Sequence, residues 1–124
     1  MKATQEQIEQ IVSVLTNEEQ QLLKDVIKFG FWGDSEEEFL NEEGEVEYFE
    51  MEGYCTNDAK RGGNFTGRKI SVLFRSIYRK LCPKNNRIGK AISHCSDWWG
   101  DGTGDMLFIR DIYVEAFRQW ARMK

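Results

Sequence analysis

Residues 56–81 read TNDAKRGGNFTGRKISVLFRSIYRKL, and the reading of this stretch decides the fold. From Ile70 the apolar residues Leu73, Phe74, Ile77 and Leu81 recur at the i, i+3, i+4, i+7 spacing that places them on one side of an α-helix. The spacing predicts a helix over 67–81, opened by Thr66 as its N-cap and ended at Pro83. At about 100° per residue, the opposite strip holds Arg68, Val72, Arg75 and Arg79, with Lys69 and Lys80 beside it. Just upstream, Thr56 to Arg61 reads as a short helix capped by Thr56. The pair Gly62-Gly63, followed by Asn64 and Phe65, reads as a turn.

Downstream, Ile88 to Cys95 and Met106 to Arg110 read as two strands. The turn formers of 96–105 join them as a hairpin, and Met106-Leu107-Phe108-Ile109 is a buried strand if that hairpin packs on the helices. The chain then returns to helical spacing through Tyr113, Ala116, Phe117 and Trp120. Upstream, Thr4 with Gln7 and Thr16 with Glu19 are capping boxes. They open two apolar stripes, Ile8, Ile11, Val12, Leu15 and then Leu22, Leu23, Val26, Ile27, so Thr16 is either a joint between two short helices or a bend in one. Phe31 and Trp32, bracketed by Gly30 and Gly33, are expected to close one side of the core. Residues 34–52 are acid-rich and read as a solvated loop with a short edge strand in which Val46 points inward.

The length of 124 residues fits one domain, 1–124, with N-terminal helices over 1–30, a core over 45–110 and a C-terminal helix over 111–124. Apolar content of 40% argues against wholesale disorder. The odd count of three cysteines (Cys55, Cys82, Cys95) argues against a disulfide framework and for buried structural thiols. The N-terminal residues lack the apolar stretch of a signal peptide and no apolar run reaches spanning length, so a cytoplasmic protein without a membrane partner is expected. The net charge of −4 conceals a division: residues 1–53 carry −12 and residues 54–124 carry +8. From Lys60 to Lys90, ten Lys and Arg stand without a single acid. Such asymmetry points to a polyanion or to a solvated basic face beside an acidic one.

The order of elements, with a short helix and tight turn before a basic-faced helix, a strand before them and a hairpin after, resembles the winged helix-turn-helix superfamily. The resemblance implies an α+β fold, mostly helical, with a three-helix core, a β-hairpin wing supplied by 88–110, and flanking N- and C-terminal helices. It also implies double-stranded DNA binding as a regulator or accessory factor. Arg68, Arg75 and Arg79 would supply donors at successive turns, since arginine pairs bidentately with guanine or phosphate. Lys60, Arg61, Asn64, Thr66 and Lys69, near the turn and helix start, are candidates for backbone contacts. Lys84, Arg87 and Lys90 extend the basic surface, while Asp97, Asp101 and Asp105 put negative charge on the wing. The alternative is a non-enzymatic protein-interaction module on the same scaffold.

Other constellations carry less. Gly62 to Lys69 resembles a phosphate-binding loop but has Arg68 where lysine belongs and Lys69 where a magnesium-binding hydroxyl belongs. The Asp101 to Asp105 run lacks calcium-loop ligands, with Thr103 at position 3 and Ile112 at position 12. Adjacent His94 and Cys95 alternate across a strand and do not readily share a metal. No catalytic group, metal or cofactor is expected, and no enzyme. Of Trp98 and Trp99, one is expected to anchor the hairpin and the other to meet a protein partner, a base or a second copy in a homodimer.

Overall fold

A computed structural model describes residues 2–41, 43–82, 91–96, 98–100 and 104–123. Two capping boxes shape the N-terminal helices. Thr4 and Gln7 open α1 (Gln5–Val12), and Thr16 and Glu19 open α2 (Asn17–Phe29), so Thr16 is a joint between two helices. A long hairpin follows, β1 (Phe31–Leu40) and β2 (Val46–Cys55), then a 3-10 helix (Thr56–Gly62) and α3 (Gly67–Leu81). The chain closes with β3 (Ile92–Cys95), β4 (Met106–Arg110) and α4 (Asp111–Arg122). All strand pairings are antiparallel, in the order β1-β2-β4-β3. The fold is an α+β domain, roughly half helical, with a four-stranded sheet. Among the described residues, no helix is long and apolar enough to cross a membrane.

The sheet separates two cores. Side chains alternate along a strand, so Tyr54, Ile92, Leu107 and Ile109 face the helices and pack with Leu22, Val26, Phe74, Ile77 and Phe117. Their neighbours Met51, Cys55, Met106 and Phe108 point the other way, where Phe39 and Phe49 from the hairpin cover them. β4 therefore buries Met106 to Ile109 without alternation, as a strand covered on both faces must.

Residues 34–52 are the largest departure from the sequence expectation. They lie in two ten-residue strands, not in a loop with a short strand, and Val46 is 50% exposed rather than inward. The turn is built by Asn41, whose Oδ1 accepts from the backbone N–H groups of Glu43 and Glu45 at 3.0 and 2.8 Å, and by Gly44 at φ +81°. Thr56 does not cap its helix. Cys55 holds the cap position, and the buried Thr56 hydroxyl donates to the Asp105 carbonyl at 3.0 Å. Phe31 and Trp32 open β1 and are 52% and 59% exposed, so they do not close the core. Pro83, expected to end α3, and Ile88, expected to open a strand, lie outside the described residues.

Glu19 fastens α2 to α3. Its carboxylate accepts from the Thr16 backbone N–H at 2.8 Å, from Lys80 Nζ at 2.6 Å and from the Ser76 hydroxyl. Burial opposes ionisation, but the bonds from Lys80, Ser76 and Thr16 outweigh it and hold the carboxyl at about 2. A carboxyl depressed by folding gives stability that is complete above its ordinary range near 4.5 and is lost as pH falls towards 2. Urea unfolding is expected to show Glu19→Ala destabilised by about 2–3 kcal/mol at neutral pH. The wild type is expected to lose stability between about pH 5 and pH 2, and Glu19→Gln to show a flatter profile there.

Candidate nucleic-acid interface

The turn between the 3-10 helix and α3 is held by a carboxylate from another helix. Asp25 of α2 is buried, and accepts from Gln21 Nε2 and from Asn64 Nδ2, each at 2.9 Å. Gly62 lies against the same group: an added Cβ would sit 2.9 Å from Asp25 Oδ2 and 3.0 Å from the Phe29 ring. Gly63 takes a left-handed φ of +77°, which glycine adopts without steric cost. Each glycine of the pair thus has its own reason. Thr66 then caps α3 as the sequence predicts, its hydroxyl accepting from the Lys69 backbone N–H.

α3 buries Ile70, Phe74 and Ile77, and half-buries Leu73 and Leu81 against the same core. Arg68, Val72, Arg75 and Arg79 are exposed on the opposite strip. At a rise of about 1.5 Å per residue, the arginines span about 16 Å of helix. Cations beside the strip are neutralised by α2: Lys69 pairs with Glu18 at 2.7 Å and Lys80 with Glu19 at 2.6 Å. Among the described residues, Arg68, Arg75 and Arg79 enter no ion pair.

The eight candidate contact residues therefore fall into two groups. Asn64 and Thr66 use their side chains to shape the turn and the helix start, while Lys69 pairs with Glu18 and Arg61 pairs with Asp58 at 3.4 Å. Lys60, Arg68, Arg75 and Arg79 are exposed and carry no such contact among the described residues. Lys84, Arg87, Lys90, Asp97 and Asp101 lie outside the described residues. Sequence reasoning missed Asp25, although a carboxylate inside the stripe Leu22, Leu23, Val26, Ile27 signals a buried polar contact.

Trp98 and Trp99 follow β3 in the chain. Both are about 40% exposed and both have aromatic neighbours. Trp98 meets Phe108 edge to face at 5.3 Å, and Trp99 meets Trp32 at 5.5 Å while covering the Gly104 backbone. The buried His94 stacks on Tyr78 of α3 at 3.8 Å, whereas Cys95 points to the opposite face of the sheet. None of the three cysteines forms a disulfide.

No family model, no curated protein and no solved structure matches this chain.

Because Asn64 supplies a donor to a buried carboxylate, Asn64→Ala is expected to cost about 1–2 kcal/mol. That lowers the melting temperature by about 4–8 °C in a domain of this size. Gly62→Ala is expected to destabilise comparably by crowding Asp25. Arg68→Ala and Arg75→Ala should stay within about 0.5 kcal/mol of wild type. Thermal melts followed by circular dichroism check the contrast.

Proposed function

We propose that the chain binds double-stranded DNA through α3, as a small regulator or accessory factor built on a winged helix-turn-helix-like scaffold. One observation carries the reading. Lys69 and Lys80 are neutralised by α2, yet Arg68, Arg75 and Arg79 share one exposed strip with no carboxylate partner among the described residues. Guanidinium groups at that spacing suit phosphates and guanine edges in a major groove. Element order supports the scaffold: the 3-10 helix and the pinned turn precede α3. β2, which precedes them, pairs with the second strand of the β3–β4 hairpin that follows. In this reading Lys60 contacts the backbone beside the turn, and Asn64, Thr66, Lys69 and Arg61 serve mainly to hold the shape from which α3 projects.

A protein-interaction module on the same scaffold is the second reading. It is favoured by the exposed aromatic residues Trp32 and Trp99, whose rings meet at 5.5 Å, and Trp98 next to them in sequence, all between 40% and 59% exposed. Aromatic residues of this kind anchor protein interfaces.

Fluorescence anisotropy on a labelled random duplex separates the readings. Wild type is expected to bind with an affinity that falls steeply with salt. In the Arg68→Ala, Arg75→Ala, Arg79→Ala triple variant, the slope of log K against log salt should shrink by about 3. Affinity should drop by about 100-fold, at roughly 1 kcal/mol per lost contact. Absence of wild-type binding at low salt would overturn the DNA reading.

A further inference from the structure

The β1–β2 hairpin holds its acids in an arrangement that the rest of the chain leaves only partly neutralised. On the face turned towards α4, Asp34 stands opposite Glu52 and Glu36 stands opposite Glu50. Like charges directly opposite on adjacent strands repel and weaken the pairing. Arg118 of α4 answers Glu52. Asp34, Glu36 and Glu50 are exposed and enter no ion pair among the described residues. An open groove of about 870 Å³ runs between this face and α4, where Asp111 and Glu115 add acids and the cations are Lys2, which pairs with Glu115, Arg118, which pairs with Glu52, and Arg122. Further along, the same face presents Tyr48 and Val46, which are 64% and 50% exposed.

A surface of opposite charge and the same make-up lies elsewhere on the molecule. On α3 the exposed Val72, at 63%, sits among Arg68, Arg75 and Arg79. The arginines extend over about 16 Å of helix. On the hairpin face Asp34, Glu36 and Glu38 extend over about 13 Å of strand, with Glu38 accepting from the Tyr48 hydroxyl. Within one chain these surfaces do not meet, because the hairpin borders α4 while α3 packs against α2 and the 3-10 helix.

We propose that the acid-lined groove between the β1–β2 hairpin and α4 of one copy receives the arginine strip of α3 from a second copy. The contact joins two different surfaces, so it links copies head to tail unless the geometry closes a ring. Its charged rim makes it sensitive to salt, and Val72 against Tyr48 and Val46 supplies an apolar component. Docking occupies the face assigned above to DNA, so self-association and duplex binding exclude one another. That competition rests on the DNA reading, whereas the docking does not.

Charge reversal tests it by sedimentation. Wild type is expected to sediment above the 14.5 kDa monomer at about 50 mM salt and as monomer at about 0.5 M. The Glu36→Lys, Glu50→Lys variant keeps only its basic face, and the Arg75→Glu, Arg79→Glu variant keeps only its acidic face. All four positions are exposed, and circular dichroism confirms that each variant folds. Each alone should be monomeric at low salt, and an equimolar mixture should form a one-to-one complex. Wild type that stays monomeric at low salt overturns the proposal, as does a mixture that fails to associate. If wild type stays monomeric but binds a free oligo-arginine peptide, the groove belongs to another basic partner and the proposal also falls. Added duplex should return wild-type assemblies to single copies. Complementation that survives while duplex binding is absent leaves the docking standing and removes only the DNA reading.

Discussion

Five residues, Met106 to Arg110, set the terms for the rest of the molecule. β4 is paired along both edges, with β2 on one side and β3 on the other, and its residues through Ile109 are covered on both faces. A strand in that position leaves no backbone group to solvent and demands apolar material above and below. The helices supply one layer through Leu107 and Ile109, and the curled hairpin supplies the other through Phe39 and Phe49 over Met106 and Phe108. The acidic hairpin is therefore no appendage. Its inner face completes a core, and Gly53 contributes by leaving room for the Phe108 and Met106 side chains, which an added Cβ would approach to 3.1 and 3.3 Å.

Charge follows the same economy of position. Acids of α2 meet the cations of α3 that lean towards them, and the buried Glu19 is satisfied by three donors. Arg118 is held between Glu52 and the Phe31 ring, with its guanidinium 5.7 Å from the ring centroid. Arg110, paired with Met51, covers Phe49 at 3.7 Å, so a cation borders the second core. Among the described residues, Arg68, Arg75 and Arg79 on one strip of α3 and Asp34, Glu36 and Glu50 on one face of the hairpin enter no ion pair, and the two groups lie apart.

Elements whose specification is local could be read from the residues alone. Both capping boxes, the apolar side of α3 and the Tyr113, Ala116, Phe117, Trp120 side of α4 depend on neighbours within a turn or two, and all lie where the spacing puts them. The hairpin was hidden because solvent reaches much of it, so no apolar alternation marks the strands from Phe31 to Val46. Its signal was the turn chemistry of Asn41 and Gly44, masked by the surrounding acids. Phe31 and Trp32 misled because their hydrophobicity says nothing about a bulge, and the register shifts between Phe31 and Gly33 at the edge of the sheet. In the candidate interface the arginine strip was legible as helix geometry. The roles of Asn64 and Lys69 were not, since Asp25 and Glu18 come from a helix some forty to fifty residues away.

The junction between β4 and α4 has a mechanical consequence. Arg110 is the last residue of the strand and Asp111 the first of the helix, so no connector separates them. A helix fused to a central strand cannot swing on its own. The Ala3 amide, bonded to the Ile112 carbonyl at 2.8 Å, pins its first turn from the other side. One wall of the groove beside α4 is consequently rigid with the sheet. The other wall is the hairpin, whose outer strand residues, 36–40 and 46–50, pair only with each other. That outer part meets the rest of the sheet at the Met51–Arg110 pair and rests on the second core through Phe39 and Phe49, so movement of its acidic face is coupled to that core.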